Sequence, residues 1–206
     1  MNETAITFQS HDLTIEGRLS TADKTHAAVI THPHPLYGGE LQNPVVQTIK
    51  TAYQKKNYST LRFNFRGVGK SQGRYDQGRG EIQDLLAAFS WLRAKSFTSI
   101  DLAGYSFGTW INAHAAGEAA INSMIMVSPP VALMDFGMSP SITCLNLVVT
   151  GSADEFAPPR LIEPMLPSWN LRAVLRIIDG ADHFYFGFLE ELSAILEQSI
   201  NSCPSL

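Results

Sequence analysis

Six short apolar runs recur along the chain, and longer segments with mixed polar and apolar positions separate most of them. Several runs are nearly continuous in apolar character, which is typical of strands buried on both faces of a parallel sheet. Strands that alternate with helices predict a doubly wound α/β fold. The runs are AAVI (27–30), STLRFNF (59–65), SIDLAG (99–104), SMIMVS (123–128), LNLVV (145–149) and AVLRII (173–178).

Four of the segments outside these runs have the pattern of helices. One follows Asn43, a favoured N-cap residue, and begins at Pro44, which suits the first helical position. A second lies at 80–95 and carries apolar residues at helical spacing. A third begins just after Ser106, and the last covers 186–200. We therefore expect helices on both faces of a central sheet.

The first twenty residues differ from the rest of the chain. TAITFQ and LTIEGRLS are separated by a short polar turn, which predicts an antiparallel hairpin at one edge of the sheet. Together with the six runs, the hairpin predicts a mostly parallel sheet of about eight strands. Because no repeat or linker interrupts the 206 residues, we expect a single domain over 1–206.

Composition and charge argue against some classes of binding partner. The net charge is −4 and no basic cluster is present, so we expect no nucleic-acid partner. No apolar run approaches the ~20 residues that cross a bilayer, and the N-terminus lacks a signal-peptide pattern. We therefore expect a cytoplasmic protein without a membrane partner. The two cysteines, Cys144 and Cys203, do not have the pattern of a disulfide framework or a zinc site.

The strongest local motif is GYSFG, in which Ser106 lies between a predicted strand and a predicted helix. This Gly-x-Ser-x-Gly pattern is a nucleophile elbow, a sharp turn that raises the serine hydroxyl above the sheet. Side chains at Gly104 and Gly108 would collide across such a turn. A helix that starts directly after the serine points its free N–H groups toward developing negative charge. Ser106 is therefore the candidate nucleophile.

A nucleophilic serine needs a base and a group that orients the base. Asp154 follows the LNLVV run, and His183 follows the AVLRII run, in the order acid and then histidine. Both are expected at the carboxyl edge of the sheet, where open α/β sheets bind ligands. Glu155 and Asp135 stay open as alternative acids. Asp179 and Asp182 flank the histidine too closely in sequence to orient it and are expected to shape the loop.

The motifs GYSFG, GSADEFAP, GADHF, FRGVGKSQG and HPHPLYGG together resemble the α/β-hydrolase family, over roughly residues 27–190. The branch that the chain is most similar to is that of small serine hydrolases without a cap, near dienelactone hydrolase. That enzyme has a cysteine where Ser106 stands, so its substrate is not implied. The resemblance implies an α/β-hydrolase fold, with the hairpin as its first strands.

The resemblance also implies an oxyanion hole made of two backbone N–H groups. One comes from the residue after the nucleophile, which is Phe107, and the other from the HPHPLYGG loop. The prolines of this loop have no N–H. Leu36 has the first free amide after them and is our prediction, with Tyr37 as the alternative.

The two histidines of the same loop, His32 and His34, are spaced so that an extended chain would point both to one side, as a metal site requires. No third ligand is indicated, so we expect them to hold the loop through hydrogen bonds, and we expect neither a metal nor another cofactor.

The tripeptide Gly69-Lys70-Ser71 matches the end of a phosphate-binding loop and would indicate nucleotide binding instead of hydrolysis. The glycine that this motif requires five positions earlier is replaced by Asn64, inside an apolar run. We expect a turn there instead, braced by Arg66.

These observations predict a serine hydrolase that cleaves a carboxylic ester or related acyl bond through an acyl-enzyme on Ser106. Only about sixteen residues separate MIMVS from LNLVV, which leaves no room for a substantial cap and favours a small-molecule substrate. A thioesterase, a peptidase and a non-catalytic domain that binds a small molecule or a protein stay open. The candidate substrate contacts are Tyr37, Tyr105, Phe156 and Phe184, and Met134, Phe136 and Met138 are further candidates for the lining.

Overall fold

The computed structural model describes residues 3–136 and 141–201, and one sheet of eight strands organises them. The predicted hairpin and all six apolar runs form its strands. The α/β fold expected from the sequence is therefore confirmed. The strands are β1 (Glu3–Ser10), β2 (Leu13–Ser20), β3 (His26–Thr31), β4 (Ser59–Phe63), β5 (Ser99–Tyr105), β6 (Met124–Val127), β7 (Leu145–Gly151) and β8 (Val174–Ile178).

The strand order across the sheet is β1-β2-β4-β3-β5-β6-β7-β8. The hairpin of β1 and β2 is antiparallel and also pairs in antiparallel fashion with β4. The six strands from β3 to β8 are parallel to one another. Their carboxyl ends consequently meet at one edge of the sheet, which we call the carboxyl edge.

Five helices pack on the sheet within the described residues, and none of them is long and apolar enough to cross a membrane. A short 3₁₀ turn at Pro35–Tyr37 follows β3. The predicted helix after Asn43 is present, and the Asn43 side chain accepts a hydrogen bond from Val45 N–H at 2.9 Å. The helices are α1 (Pro44–Lys55), α2 (Arg79–Ala94), α3 (Phe107–Ala115), α4 (Pro159–Trp169) and α5 (Leu189–Ser199).

Each face of the sheet has its own apolar core. Apolar side chains of α1 and α5 pack on one face, and those of α2, α3 and α4 pack on the other. Strand residues alternate between the two cores, so that Leu102 belongs to one and Ala103 to the other. The nearly continuous apolar runs of the sequence are explained by this burial on both faces.

The sequence pattern does not predict α4, because prolines interrupt it. Pro164 and Pro167 lie inside this helix, where a proline removes a backbone donor and crowds the preceding turn. Ile162 and Trp169 are nevertheless buried on its inner side. Tertiary packing of this apolar side therefore maintains a helix that local preference disfavours.

The loop after β4 is a turn, as expected, and its centre is filled by the Glu16 carboxylate. This carboxylate accepts hydrogen bonds from Lys70 N–H at 2.6 Å and from the Asn64 side chain at 2.8 Å. Arg66 braces the loop from the other side, because its guanidinium bonds both oxygens of the buried Asp84 at 3.0 and 2.7 Å. The amide that a phosphate would need thus already binds a carboxylate of the protein itself.

The start of α3 lies very close to the end of β3. A Cβ atom at Gly108 would meet the Thr31 carbonyl oxygen at 2.8 Å and the His32 carbonyl oxygen at 2.9 Å. Real Cβ atoms do not approach backbone oxygens so closely, so only glycine permits this contact. It places the loop after β3 beside the residue that precedes α3.

We predict that Gly108→Ala lowers the free energy of unfolding by roughly 1–3 kcal/mol, the usual cost of overpacking a filled interior. The opposing backbone oxygens cannot rotate away as a side chain could. Gly117→Ala is the matched control, because a Cβ there meets nothing within 4 Å. Denaturant unfolding of both variants measures the difference, and equal stability would contradict the close contact.

Candidate active site

Ser106 lies in the sharp turn between β5 and α3, with φ 53° and ψ −123°. A positive φ is uncommon for a residue with a side chain, and such strain often marks functional turns. The turn is fixed by a hydrogen bond from Ser106 N–H to the Val127 carbonyl at 2.9 Å. A Cβ at Gly104 would come within 2.9 Å of the Gly108 carbonyl carbon, as the elbow motif predicts.

The three candidate catalytic side chains meet at the carboxyl edge. His183 Nε2 lies 3.0 Å from Ser106 Oγ, and His183 Nδ1 lies 2.9 Å from Asp154 Oδ2 and 3.0 Å from Asp154 Oδ1. The serine follows β5, the aspartate follows β7 and the histidine follows β8, so parallel strands deliver all three to one edge. All three side chains are largely buried.

Asp154 is the carboxylate that contacts the histidine, whereas the alternative acids lie elsewhere. Glu155 and Asp135 are exposed. Asp182 accepts a hydrogen bond from Phe184 N–H at 2.9 Å, and Asp179 accepts one from the Ser152 hydroxyl at 3.0 Å. The last two aspartates thus shape the loops beside the site, as the sequence predicts.

Several groups compete to set the charge of Asp154. Burial by itself raises the pKa of this carboxyl, but hydrogen bonds from His183, Ser128 and the Ala157 amide outweigh it and leave the pKa below its usual value. The Phe156 and Ala157 N–H groups donate to Oδ1 at 3.0 and 2.8 Å. An ionised carboxylate can only accept, so the Nδ1 atom of His183 carries the proton and Nε2 is free to accept one from Ser106.

Tyr105 does not line the site, which corrects its prediction as a substrate contact. Its side chain is buried, and its hydroxyl donates to the His183 carbonyl oxygen at 2.8 Å. Tyr105 belongs to the core on the α1 and α5 face. Tyr105 therefore supports the loop that carries His183 from within the core. The register of β5 determines that its side chain points to this core and not into the site.

The amide predicted to bind an oxyanion is already paired. Leu36 N–H donates to His34 Nδ1 at 3.2 Å, and Tyr37 N–H donates to the His34 carbonyl at 3.1 Å. In contrast, His34 N–H and Phe107 N–H have no acceptor among the described residues. The His34 amide lies between the two prolines, whereas the predicted donors, Leu36 and Tyr37, both follow the second proline.

The histidines of the loop hold it in place, as expected. Phe65 N–H donates to His32 Nε2 at 3.0 Å, which leaves His32 Nδ1 to donate to the Pro33 carbonyl at 2.7 Å. The His34 ring packs on the Phe107 ring with 4.8 Å between centroids. Among residues 3–136 and 141–201, no group of three or more His, Cys, Asp or Glu side chains is placed to hold a metal ion.

Exposed aromatic side chains lie in the loop after β3 and in the loop that carries the catalytic histidine. Tyr37 is 87% exposed, Phe184 is 53% exposed, and Phe186, which sequence reasoning missed, is 78% exposed. The Phe156 and Phe184 rings stand edge-on to the His183 ring at 4.8 and 5.7 Å. Among the further candidates, Phe136 is buried against Trp169, Met134 is half-buried, and Met138, like Cys203 of the cysteine pair, lies outside the described residues.

Known proteins resemble this chain over nearly its whole length, although no protein-family model matches it. An uncharacterized protein of Rickettsia prowazekii (strain Madrid E) is 33% identical over 213 residues, which cover 97% of this chain and 90% of the relative. The structure of an α/β serine hydrolase homologue from Coxiella burnetii is 35% identical, with a TM-score of 0.89. The match covers 97% of this chain and 98% of that one.

A further solved structure tests the expectation that the fold has no cap. It is an α/β serine hydrolase without a lid from Xanthomonas campestris, 28% identical with a TM-score of 0.90, and the match covers 97% of this chain and 94% of that one. In the present chain, described residues between β6 and β7 form no helix. The expected capless architecture is therefore confirmed.

We predict that the His32 ring stays neutral well below the range in which histidines usually titrate. Burial, with a smaller contribution from the nearby His34 ring, lowers its pKa to about 4, against the hydrogen bond to the Pro33 carbonyl, which raises it. Because an unfolded histidine takes up its proton near ~6.5, the free energy of unfolding should fall as the pH drops from about 6.5 to 4.

Ring resonances followed by NMR during acid titration measure this directly. His32→Gln identifies the resonance and should flatten the pH dependence of stability in the same window. A His32 ring that titrates near the ordinary value would contradict the buried hydrogen-bonding role.

Proposed function

The chain belongs to the α/β serine hydrolases, and from this premise we propose that it cleaves a carboxylic ester or related acyl bond through an acyl-enzyme on Ser106. The observation that carries the proposal is the continuous hydrogen-bonded series Ser106 Oγ, His183 Nε2, His183 Nδ1 and Asp154. A serine that only stabilised the fold would not require a strained turn that aims it at a buried imidazole.

Acylation starts when Ser106 Oγ attacks the carbonyl carbon and its proton passes to His183 Nε2. The carbonyl π electrons move onto oxygen, and the tetrahedral intermediate collapses as the leaving oxygen takes the proton from His183. Asp154 keeps the ring in the required tautomer and stabilises the imidazolium. In deacylation, His183 removes a proton from water, the hydroxide attacks the acyl carbon, and Ser106 leaves with the proton returned.

The two unpaired amides supply the oxyanion hole in this proposal. Phe107 N–H is at the first position of α3, where helix geometry leaves it without an acceptor. His34 N–H is in the loop that the close approach of Thr31 and His32 to Gly108 brings to this helix start. The His34 amide replaces Leu36 in the role, because Leu36 N–H is held by the His34 ring.

The exposed aromatic rim favours an ester with small apolar groups. Tyr37 lies on the side of the predicted oxyanion loop, and Phe184 and Phe186 lie on the histidine side. Apolar surface on both sides of the serine can contact the acyl group and the leaving group without enclosing either. Selectivity among short esters is consequently expected to be modest, since one methylene adds little binding energy in an open site.

Ser106→Ala should lower kcat for p-nitrophenyl esters by about 10⁴-fold or more, the range found when a serine nucleophile is removed. It should also abolish labelling by a fluorophosphonate probe. A panel of acyl chains of rising length tests the substrate class, and Ser90→Ala on the exposed side of α2 serves as the control.

Labelling or turnover that persists in Ser106→Ala would contradict the assigned nucleophile. A wild-type protein that reacts with neither the esters nor the probe would favour the non-catalytic binding domain instead.

We further predict that His34→Pro lowers kcat about 10²–10³-fold relative to His34→Ala, the usual loss for one oxyanion donor. Both variants lose the ring, but only the proline also loses the amide. The backbone tolerates it because φ at this position is −59°, a value that proline adopts. Equal kcat in the two variants would contradict the His34 assignment and indicate that Leu36 N–H binds the oxyanion, because both variants release this amide from the His34 ring.

A further inference from the structure

Seven residues other than glycine have a positive φ among the described residues, and three of them are buried at the carboxyl edge. Besides Ser106, these are Ser128, with φ 49°, and Tyr185, with φ 58°. The other four are exposed residues of surface turns. Strained backbone that is also buried needs support from its surroundings and tends to occur where function requires a particular geometry.

Hydrogen bonds join the two additional strained residues to the catalytic series. Tyr185 Oη lies 2.8 Å from Ser128 Oγ, and both side chains are fully buried. The Ser128 hydroxyl also lies beside the Asp154 carboxylate and contributes to lowering the pKa of that carboxyl. Since the carboxylate only accepts, a Ser128 proton turned toward Asp154 leaves Ser128 Oγ to accept from Tyr185 Oη, which lies much closer to it than to its other acceptor, the Val149 carbonyl at 3.5 Å.

We propose that Ser128 and Tyr185 are positioning residues of this active site: Ser128 holds the Asp154 carboxylate in the orientation that His183 requires, and Tyr185 acts through Ser128 by directing its hydroxyl proton. The proposal rests on the proposed hydrolase function. Neither residue contacts the reacting atoms. The positive φ at each position is what brings the two hydroxyls together behind the carboxylate, at the end of β6 and in the loop after β8.

The electrostatic effect of this arrangement has a definite sign. A hydrogen bond from Ser128 takes up part of the negative charge of Asp154, and its removal leaves more of that charge to attract the proton of the imidazolium. Loss of the Ser128 hydroxyl should therefore move the acid limb of the activity profile to higher pH. Tyr105, Tyr185 and Asp182 are the other titratable groups that face this pair.

Both tyrosines are neutral throughout an assay between pH 5 and 8, because burial raises the pKa of Tyr105 and of Tyr185 well above its ordinary value. Neither hydroxyl can therefore produce the expected shift by titrating. Asp182 is retained in every variant. A change in the acid limb thus reports the Ser128–Asp154 contact.

The test compares Ser128→Ala, Tyr185→Phe and the double variant with p-nitrophenyl butyrate between pH 5 and 8. Each single variant should lower kcat about tenfold, a size usual for a hydrogen bond to a charged group, with KM changed less than twofold. The double variant should be no worse than Ser128→Ala, and the acid limb should move to higher pH. Matched controls are Ser20→Ala and Tyr53→Phe, which remove buried hydroxyls that have no hydrogen-bond partner.

Ser128→Gly separates the hydroxyl from the backbone strain, because glycine adopts φ 49° without cost. The glycine variant should be as slow as the alanine variant. Restored kcat in Ser128→Gly, multiplied losses in the double variant, or an unmoved acid limb would each overturn the proposal. If Ser128→Ala does not fold, Tyr185→Phe, which keeps the ring, decides the question alone.

Fluorophosphonate labelling of the wild-type protein distinguishes a failure of the proposed hydrolase function from a failure of the positioning roles. A wild-type protein that does not react refutes the proposed function itself. A reactive wild type whose variants keep full kcat and the wild-type pH profile refutes only the positioning roles of Ser128 and Tyr185.

Discussion

The charge-assisted hydrogen bond between Asp154 and His183 Nδ1 is the contact on which the catalytic edge depends. An ionised carboxylate is costly to bury unless donors surround it. Two backbone amides of its own loop, the imidazole and the Ser128 hydroxyl meet that requirement here. Because these donors come from the ends of β6, β7 and β8, the charge fixes the relative positions of three loops at once.

The same edge is constrained from the other side by backbone crowding. Gly108 lets α3 start against the carbonyls of Thr31 and His32, and Gly104 lets the turn at Ser106 close on itself. Both contacts exclude any side chain. The strained serine and the loop after β3 are therefore positioned by steric limits, whereas the aspartate and histidine are positioned by charge. The proposed chemistry requires both kinds of constraint to act at one place.

Much of this arrangement could be predicted because strand ends in a parallel sheet share an edge. Runs of apolar residues located the strands, and the residues just after three of them placed Ser106, Asp154 and His183 together. The choice of oxyanion amide could not be read in this way, since only the folded loop shows that the His34 ring binds Leu36 N–H. Tyr105 was misplaced because its direction depends on strand register, and α4 was missed because packing overrides its prolines.

The central claim is that Ser106 carries the acyl group during turnover. Rapid-quench mass spectrometry of the intact protein with p-nitrophenyl trimethylacetate, whose bulky acyl group slows deacylation, tests it most directly. We expect a transient mass increase of one trimethylacetyl group that peptide mapping assigns to Ser106. Steady release of p-nitrophenol with no adduct, or with an adduct on another residue, would contradict the account.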